Sequence, residues 1–319
     1  MYSYENYEKV RDTIEKRRAE ARRISDARSL ELRMRSPRIK KIDDELRGTG
    51  LLIFKTACEG GDIAPIKARN QELVAERRRL IAELGYPEDY TDVKYFCSVC
   101  SDTGFTTDTK MCACFKSLLV TENIKSSGMG RLIEEQSFEN FNLEAYAFDA
   151  RVYERMTKNL ELAREYAASF GRSADIEKNL LFIGKTGTGK THISTAIAKV
   201  IIEKGYDVLY ESVQNIVSAF EKDKFKSGYS AGYEPLGDKY LECDLLIMDD
   251  LGTEFSSQFT VSCLYNLFNT RRNRGLATII STNLSPDELV NRYDDRIYSR
   301  IVGEGYRILF FEGKDHRLS

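Results

Sequence analysis

The chain has 319 residues, 42% hydrophobic and 31% charged, with a formal net charge of −2; this is the composition of a globular protein of about two or three domains. No apolar run approaches the roughly 20 residues that span a bilayer, and the opening MYSYENYEKVRD lacks the apolar core of a secretory signal. The expectation is a cytoplasmic protein with no membrane partner, and the near-neutral charge confines any contact with DNA to a local patch.

Helices are expected from Met1 to about Tyr90. Tyr7, Val10, Ile14, Ala21 and Ile24 recur at spacings of three, four or seven among charged residues, marking a narrow apolar stripe. Ser36-Pro37 reads as a helix start, with Ile39, Ile42 and Leu46 on one side. Gly48, Gly50, Gly60 and Gly61 are expected to break the pattern. A further helix from about Ala64 carries Ile66, Leu73, Leu80 and Leu84 and stops at Gly85-Tyr86-Pro87. Such stripes pack on one another in a small bundle or face a partner. Periodicity alone does not separate the two, the bundle being the commoner outcome.

Next comes YFCSVCSDTGFTTDTKMCACFK. Cys97 and Cys100 form a C-x-x-C pair, and Cys112 and Cys114 a C-x-C pair, across a polar loop that a β-turn could close. Thiolates so spaced can form a tetrahedral Zn²⁺ site, and disulfides are disfavoured in a reducing cytosol. Structural Zn²⁺ is the leading reading, with an iron–sulfur cluster or unliganded thiols as alternatives. Cys58, Cys243 and Cys263 stand alone and are expected as small buried residues. Neither His192 nor His316 adjoins the cluster, and two histidines without matching partners make no case for a Ser-His-Asp or metallo-hydrolase centre.

A new domain is expected to begin near QSFENFNLEAY, followed by a helix from about Arg151 to Phe170. The strand Leu181-Phe182-Ile183 then runs into GKTGTGKT, spanning Gly184, Lys185, Thr186, Gly187, Thr188, Gly189, Lys190 and Thr191. The glycines let backbone N–H groups close on phosphate oxygens at a helix start, where the helix dipole also favours negative charge. Lys190 would neutralise the β and γ phosphates, and Thr191 would offer its hydroxyl to Mg²⁺. The strand DLLIMDDLG ends in Asp249 and Asp250; one acid there would hold the Mg²⁺ shell and the next polarise an attacking water. ATIISTNLS is a further strand, closed by Thr282 and Asn283, a polar pair suited to orienting water near a γ-phosphate. Arg296 and Arg300 lie four apart on a short helix, hence on one face.

Between a second expected strand near 207–211 and the acidic one, Lys222, Lys224, Lys226 and Lys239 are interleaved with Phe220, Phe225, Tyr229 and Tyr233. Cations with aromatics can hold single-stranded DNA. An amphipathic helix with ordinary surface lysines produces the same pattern.

In this order and spacing the motifs resemble those of AAA+ ATPases, and within them the bacterial replicative-helicase loaders of the DnaC/DnaI type and, more distantly, the transposition ATPase IstB. The resemblance covers roughly Phe138 to the C-terminus and a shorter cysteine-rich stretch upstream. It implies Asp249 as the Mg²⁺-linked acid, Asp250 as the second Walker B acid, Asn283 as the sensor of the γ-phosphate and Arg300 as an arginine finger given to a neighbouring subunit. It further implies Arg317, in the closing GKDHR, as a second sensor, and Phe138 and Phe141 as flanks of the adenine pocket. Most AAA+ members carry glutamate where Asp250 stands, and the shorter side chain fits a slow, switch-like ATPase.

The resemblance also implies a helicase-docking N-terminal domain and a DNA-contacting element around Lys222–Tyr229. The expected fold is α/β: a parallel, helix-covered P-loop sheet in which the Walker B and sensor strands flank the phosphate-loop strand. The expected division is 1–90 helical docking region, 91–120 zinc ribbon, 121–137 linker and 138–319 ATPase. The implied function is ATP-dependent delivery of a replicative DNA helicase to single-stranded DNA by a self-associating loader that uses ATP, Mg²⁺ and structural Zn²⁺. The alternatives are a transposition ATPase on duplex DNA and an ATP-binding switch with negligible turnover.

Overall fold

The computed structural model describes residues 3–172, 178–225, 235–293, 295–303 and 305–315. Val10–Lys116 form one compact unit, and the remainder of the described chain forms a second.

The first unit is built on α1 (Tyr4–Arg35) from Val10 onward, α2 (Pro37–Cys58) and α3 (Ala64–Glu83). Ser36 separates the first two because its extended backbone stops α1 while its hydroxyl accepts the Ile39 N–H at 3.3 Å. Leu32, Ile39 and Ile81 are buried together beneath Leu80, Tyr86 and Tyr90. Both tyrosine hydroxyls donate to Glu31, at 2.7 and 3.0 Å. The stripe read from sequence holds at Val10, Ile14, Ile39, Ile42 and Leu73, whereas Ile24 and Leu84 are exposed and Ile81 takes the inward position.

Gly48 and Gly50 do not break α2, which runs through to Cys58. Each glycine costs a helix about 1 kcal/mol. Packing against α3 outweighs this, and the Asn70 amide donates to Thr49 at 2.7 Å between the two glycines. The chain turns only at Gly60, where φ is 72°.

The second unit contains α4 (Ala113–Ser126) beyond its first turn, α5 (Leu132–Glu135), a 3₁₀ turn at Leu143–Tyr146 and α6 (Ala150–Ser169). Residues 121–137 are thus not a linker: Met129 and Ile133 are buried in the core of this unit. Then follow β1 (Asn179–Gly184), α7 (Lys190–Glu203), β2 (Val208–Ser212), α8 (Val213–Phe225), α9 (Asp238–Glu242), β3 (Leu245–Leu251), α10 (Gln258–Asn273), β4 (Ala277–Thr282), α11 (Pro286–Arg292), α12 (Asp295–Val302) and β5 (Tyr306–Phe311). The strands form one parallel sheet in the order β2-β3-β4-β1-β5. Alternate residues of β1 feed the two cores: Leu180 and Phe182 pack with α6 and α7, Leu181 and Ile183 with α8, α10, α11 and α12.

The expectation that the Walker B strand flanks the phosphate-loop strand is not met. β4 and β5 flank β1, and β3 lies beyond β4. Burial explains the order, because every residue of β4 is buried, as the centre of a doubly covered sheet demands, while β2 and β5 carry half-exposed positions that an edge tolerates. Among the described residues no helix is long and apolar enough to cross a membrane.

Candidate nucleotide site and cysteine centre

At the carboxyl end of β1 the chain turns through Gly187 and Gly189, whose φ values of 76° and 89° lie in the left-handed region that favours glycine. A Cβ at Gly189 would come within 2.6 Å of the Tyr146 hydroxyl, so the close approach requires glycine as well. α7 begins at Lys190, and its first N–H groups face the loop. The Lys190 side chain is buried and donates to Gly184 O at 2.5 Å, Lys185 O at 2.8 Å and Asn283 Oδ1 at 2.7 Å. The phosphate loop and the end of β4 thus meet at one ammonium group.

β3 supplies the acids through an irregularity between Met248 and Leu251. Asp250 sits there at φ 58°, with its N–H donating to Ser281 Oγ at 3.1 Å. Asp249 accepts from the Tyr210 hydroxyl on Oδ2 and from the Ser281 hydroxyl on Oδ1, and Thr191 Oγ1 lies 3.5 Å from Oδ2. Burial and the adjacent Asp249 carboxylate push the Tyr210 phenol well above its ordinary range, so it remains a donor. Thr282 is not a water-facing partner of Asn283: it is fully buried and donates to Leu251 O at 2.7 Å.

These groups open onto a cavity of about 850 Å³ that Lys190, Thr191, Asp249, Asp250 and Asn283 line together, within the range that encloses a nucleotide-sized ligand. Phe141 stacks on Tyr146 at 5.8 Å and meets His192 edge-on at 5.1 Å, giving the cavity an aromatic wall. Phe138 does not flank it. Its ring is buried in the core beside Arg164. Sequence reading missed Tyr210, Ser281, Tyr146 and His192. Only Ser281 and His192 adjoin a recognisable motif, whereas Tyr210 and Tyr146 enter through strand pairing and a 3₁₀ turn.

Arg296 and Arg300 occupy one face of α12, as their spacing predicts. Arg300 lies over the Tyr265 ring at 5.2 Å and donates to its hydroxyl at 3.3 Å, while its Nε has no hydrogen-bond partner among the described residues. Neither arginine lines the nucleotide cavity of its own chain. Lys222, Lys224 and Phe225 lie in the last turn of α8, with Phe225 69% exposed and Lys224 Nζ over the Phe259 ring at 4.6 Å. Phe220, by contrast, packs inward against Tyr240 at 6.4 Å. Lys226, Tyr229, Tyr233, His316 and Arg317 lie outside the described residues.

In the first unit the sulfurs of Cys97, Cys100, Cys112 and Cys114 all lie within 4.8 Å of one another. Cys97 and Cys112 are 3.8 Å apart, Cys100 and Cys114 3.5 Å. Tetrahedral Zn–S bonds of about 2.3 Å require edges of about 3.8 Å, so this donor set fits. Asp102 fixes the first pair by accepting the N–H groups of Phe96 and Cys97 at 2.8 and 2.9 Å. Cys112 N–H donates to Gly104 O at 2.9 Å, closing the turn between the pairs. Burial opposes ionisation of Cys100, but the Gly104 N–H and the neighbouring sulfurs bring its thiol down to about 7. Cys243 is buried, Cys263 half-buried, and Cys58 exposed, contrary to expectation, because α2 ends there at the surface.

The chain is similar to the replicative helicase loader DnaC of Escherichia coli (strain K12), with 26% identity over 196 residues, covering 61% of this chain and 75% of that protein. DnaC of Buchnera aphidicola subsp. Baizongia pistaciae is 26% identical over 186 residues, covering 58% and 71%. Among solved structures, the crystal structure of DnaI aligns with a TM-score of 0.47 at 22% identity over 60% of this chain and 95% of that one. The DnaC helicase loader aligns with a TM-score of 0.44 at 25% identity over 55% and 98%. The phosphate loop and the paired acids stand at the carboxyl ends of β1 and β3 in one parallel sheet. The family described as IstB-like ATP binding protein matches residues 127–302, more than half of the chain, and the chain belongs to that family.

Proposed function

We propose that this protein is an ATP-dependent loader that binds a replicative DNA helicase and delivers it to single-stranded DNA. The observation that carries the reading is the meeting of Lys190, Thr191, Asp249 and Asn283 in one cavity, in a chain similar over 61% and 58% of its length to proteins named replicative helicase loaders.

In this reading the N–H groups from Gly187 to Thr191 and the Lys190 ammonium receive the phosphates of ATP, and the aromatic wall at Phe141 receives the base. Thr191 and Asp249 would hold Mg²⁺. Their hard oxygens lie 3.5 Å apart, and a hydroxyl with a carboxylate is the oxygen donor type that Mg²⁺ prefers. Mg²⁺ would neutralise charge on the β and γ phosphates. Asn283, anchored to Lys190, orients water at the γ position, and Asp250 accepts its proton. Asp250 is exposed, on a left-handed backbone and a methylene shorter than glutamate, which favours slow turnover serving as a switch. Arg300 reaches the γ-phosphate of a neighbouring subunit, so self-association completes the site. The four cysteines hold a structural Zn²⁺, the helices of the first unit dock the helicase, and Lys222, Lys224, Lys226, Phe225 and Tyr229 contact DNA.

Size-exclusion chromatography of the full chain with the replicative helicase of the same organism, with and without ATP, tests this reading. A complex whose stability changes with ATP is expected. No complex under either condition overturns it. A complex with ATP affinity but no hydrolysis, with or without DNA, selects the switch alternative.

A further inference from the structure

Tyr210 belongs to none of the motifs read from sequence, yet it lines the nucleotide cavity from β2, the edge strand. In the β2–β3 register it pairs with Ile247, two residues before Asp249, so its side chain and the Asp249 carboxylate rise from the same face as diagonal neighbours. The Tyr210 hydroxyl donates to Asp249 Oδ2 and the Ser281 hydroxyl, from β4, donates to Oδ1. With both oxygens held by hydroxyls from strands on either side, the carboxylate cannot rotate about its Cβ–Cγ bond. Each carboxylate oxygen has two lone-pair directions, and the one left on Oδ2 faces Thr191 Oγ1, 3.5 Å away.

Tyr210 is itself held from behind. Its N–H donates to Ser127 O at 2.7 Å, and its carbonyl lies so close to Gly128 that a Cβ there would come within 2.5 Å. The Asn123 side chain fastens the same segment to Tyr206 O at 3.2 Å. An edge strand, ordinarily a compliant place, is thereby clasped on its open side at Tyr210.

We infer that Tyr210 is a positioning residue for Mg²⁺-nucleotide binding, setting the orientation in which Asp249 meets the metal. The inference rests on the reading of Asp249 as the Mg²⁺-linked acid. Hydrogen bonds to a charged group are among the stronger ones, so a lost hydroxyl should appear in metal coupling rather than in nucleotide contact.

The test is Tyr210→Phe in the full chain, with the affinity for a fluorescent ATP analogue measured in EDTA and across a Mg²⁺ titration. Affinity in EDTA should match wild type, while the Mg²⁺ concentration giving half of the affinity gain should rise by about ten-fold, the scale of a hydrogen bond to a charged group. Ser281→Ala should move it in the same direction. Wild-type Mg²⁺ dependence in Tyr210→Phe overturns the inference, as does an equal loss of affinity in EDTA, which marks a merely structural role. A wild-type chain whose nucleotide affinity ignores Mg²⁺ overturns the reading of Asp249 itself.

Discussion

Lys190 Nζ donates to Asn283 Oδ1 at 2.7 Å, joining the start of α7 to the end of β4. The group that would bind phosphate and the group that would sense it are therefore in direct contact. Lys190→Ala should abolish measurable ATP binding, because it removes the cation of the loop. Asn283→Ala should keep affinity within a few-fold and lower hydrolysis by about 10²-fold, the scale of a lost polar contact to developing charge. Isothermal titration with ATP and a phosphate-release assay separate the two. Wild-type affinity in Lys190→Ala contradicts the assignment of the loop.

The cysteine centre predicts about one Zn²⁺ per chain by elemental analysis. Cys97→Ser with Cys100→Ser should remove the metal and unfold the turn between Cys100 and Cys112, since metal binding in small cysteine sites supplies folding free energy. ATP binding should survive. Purified protein carrying iron or no metal would overturn this prediction.

Arg300→Ala should bind ATP normally yet lose hydrolysis. Arginine fingers contribute about 10³–10⁵ in rate. Mixing Arg300→Ala with Lys190→Ala should restore part of the activity, since the second variant can lend its Arg300 to an intact phosphate loop on the first. Arg300→Lys should not substitute, because an ammonium lacks the planar fork. Normal hydrolysis by Arg300→Ala, unchanged on mixing, would pass the role to Arg296, its neighbour on the same face of α12.

If Lys222, Lys224 and Lys226 contact phosphates, affinity for single-stranded DNA should fall with salt, with a logarithmic slope of roughly −0.7 per contact. Replacing the three with alanine should flatten that slope, and Phe225→Ala should weaken binding through lost stacking. An unchanged slope in the triple variant returns the end of α8 to an ordinary solvated surface.

Burial, reinforced by the neighbouring Asp244 carboxylate, pushes Asp207 up to about 6. A carboxyl raised above its unfolded value binds its proton more tightly in the native state, so its contribution to stability falls as pH rises from about 4 through 6. Asp207→Asn keeps the backbone N–H that donates to Asp244 Oδ2 at 2.9 Å. It should melt with wild type near pH 4 and a few degrees above it at pH 8. Equal melting at both pH values would contradict the shift.

Much of the nucleotide site was legible because its residues are consecutive: GKTGTGKT and MDD each place several groups by local geometry alone. The strands β1, β3 and β4 were likewise readable, since each carries a run of aliphatic residues ending in polar ones or glycine. Their order was not, because pairing depends on which strand can be buried on both faces, a property of the assembled sheet. Tyr210 was invisible for the same reason: it reaches Asp249 only once β2 lies beside β3. Phe138 and Phe141 show the limit from the other side, two aromatics three apart of which one builds the core and the other the cavity wall. At Gly48 and Gly50 local propensity gave the wrong answer, since packing between α2 and α3 exceeds the cost of two glycines.

The most direct test of helicase loading is strand displacement on circular single-stranded DNA coated with a single-strand-binding protein, a substrate a helicase ring cannot enter unaided. With the full chain, ATP and the replicative helicase of the same organism, the annealed strand should be released, and Lys190→Ala should abolish release without affecting the helicase on bare forked DNA. Release that is independent of the chain, or that proceeds equally with Lys190→Ala, would contradict ATP-dependent loading.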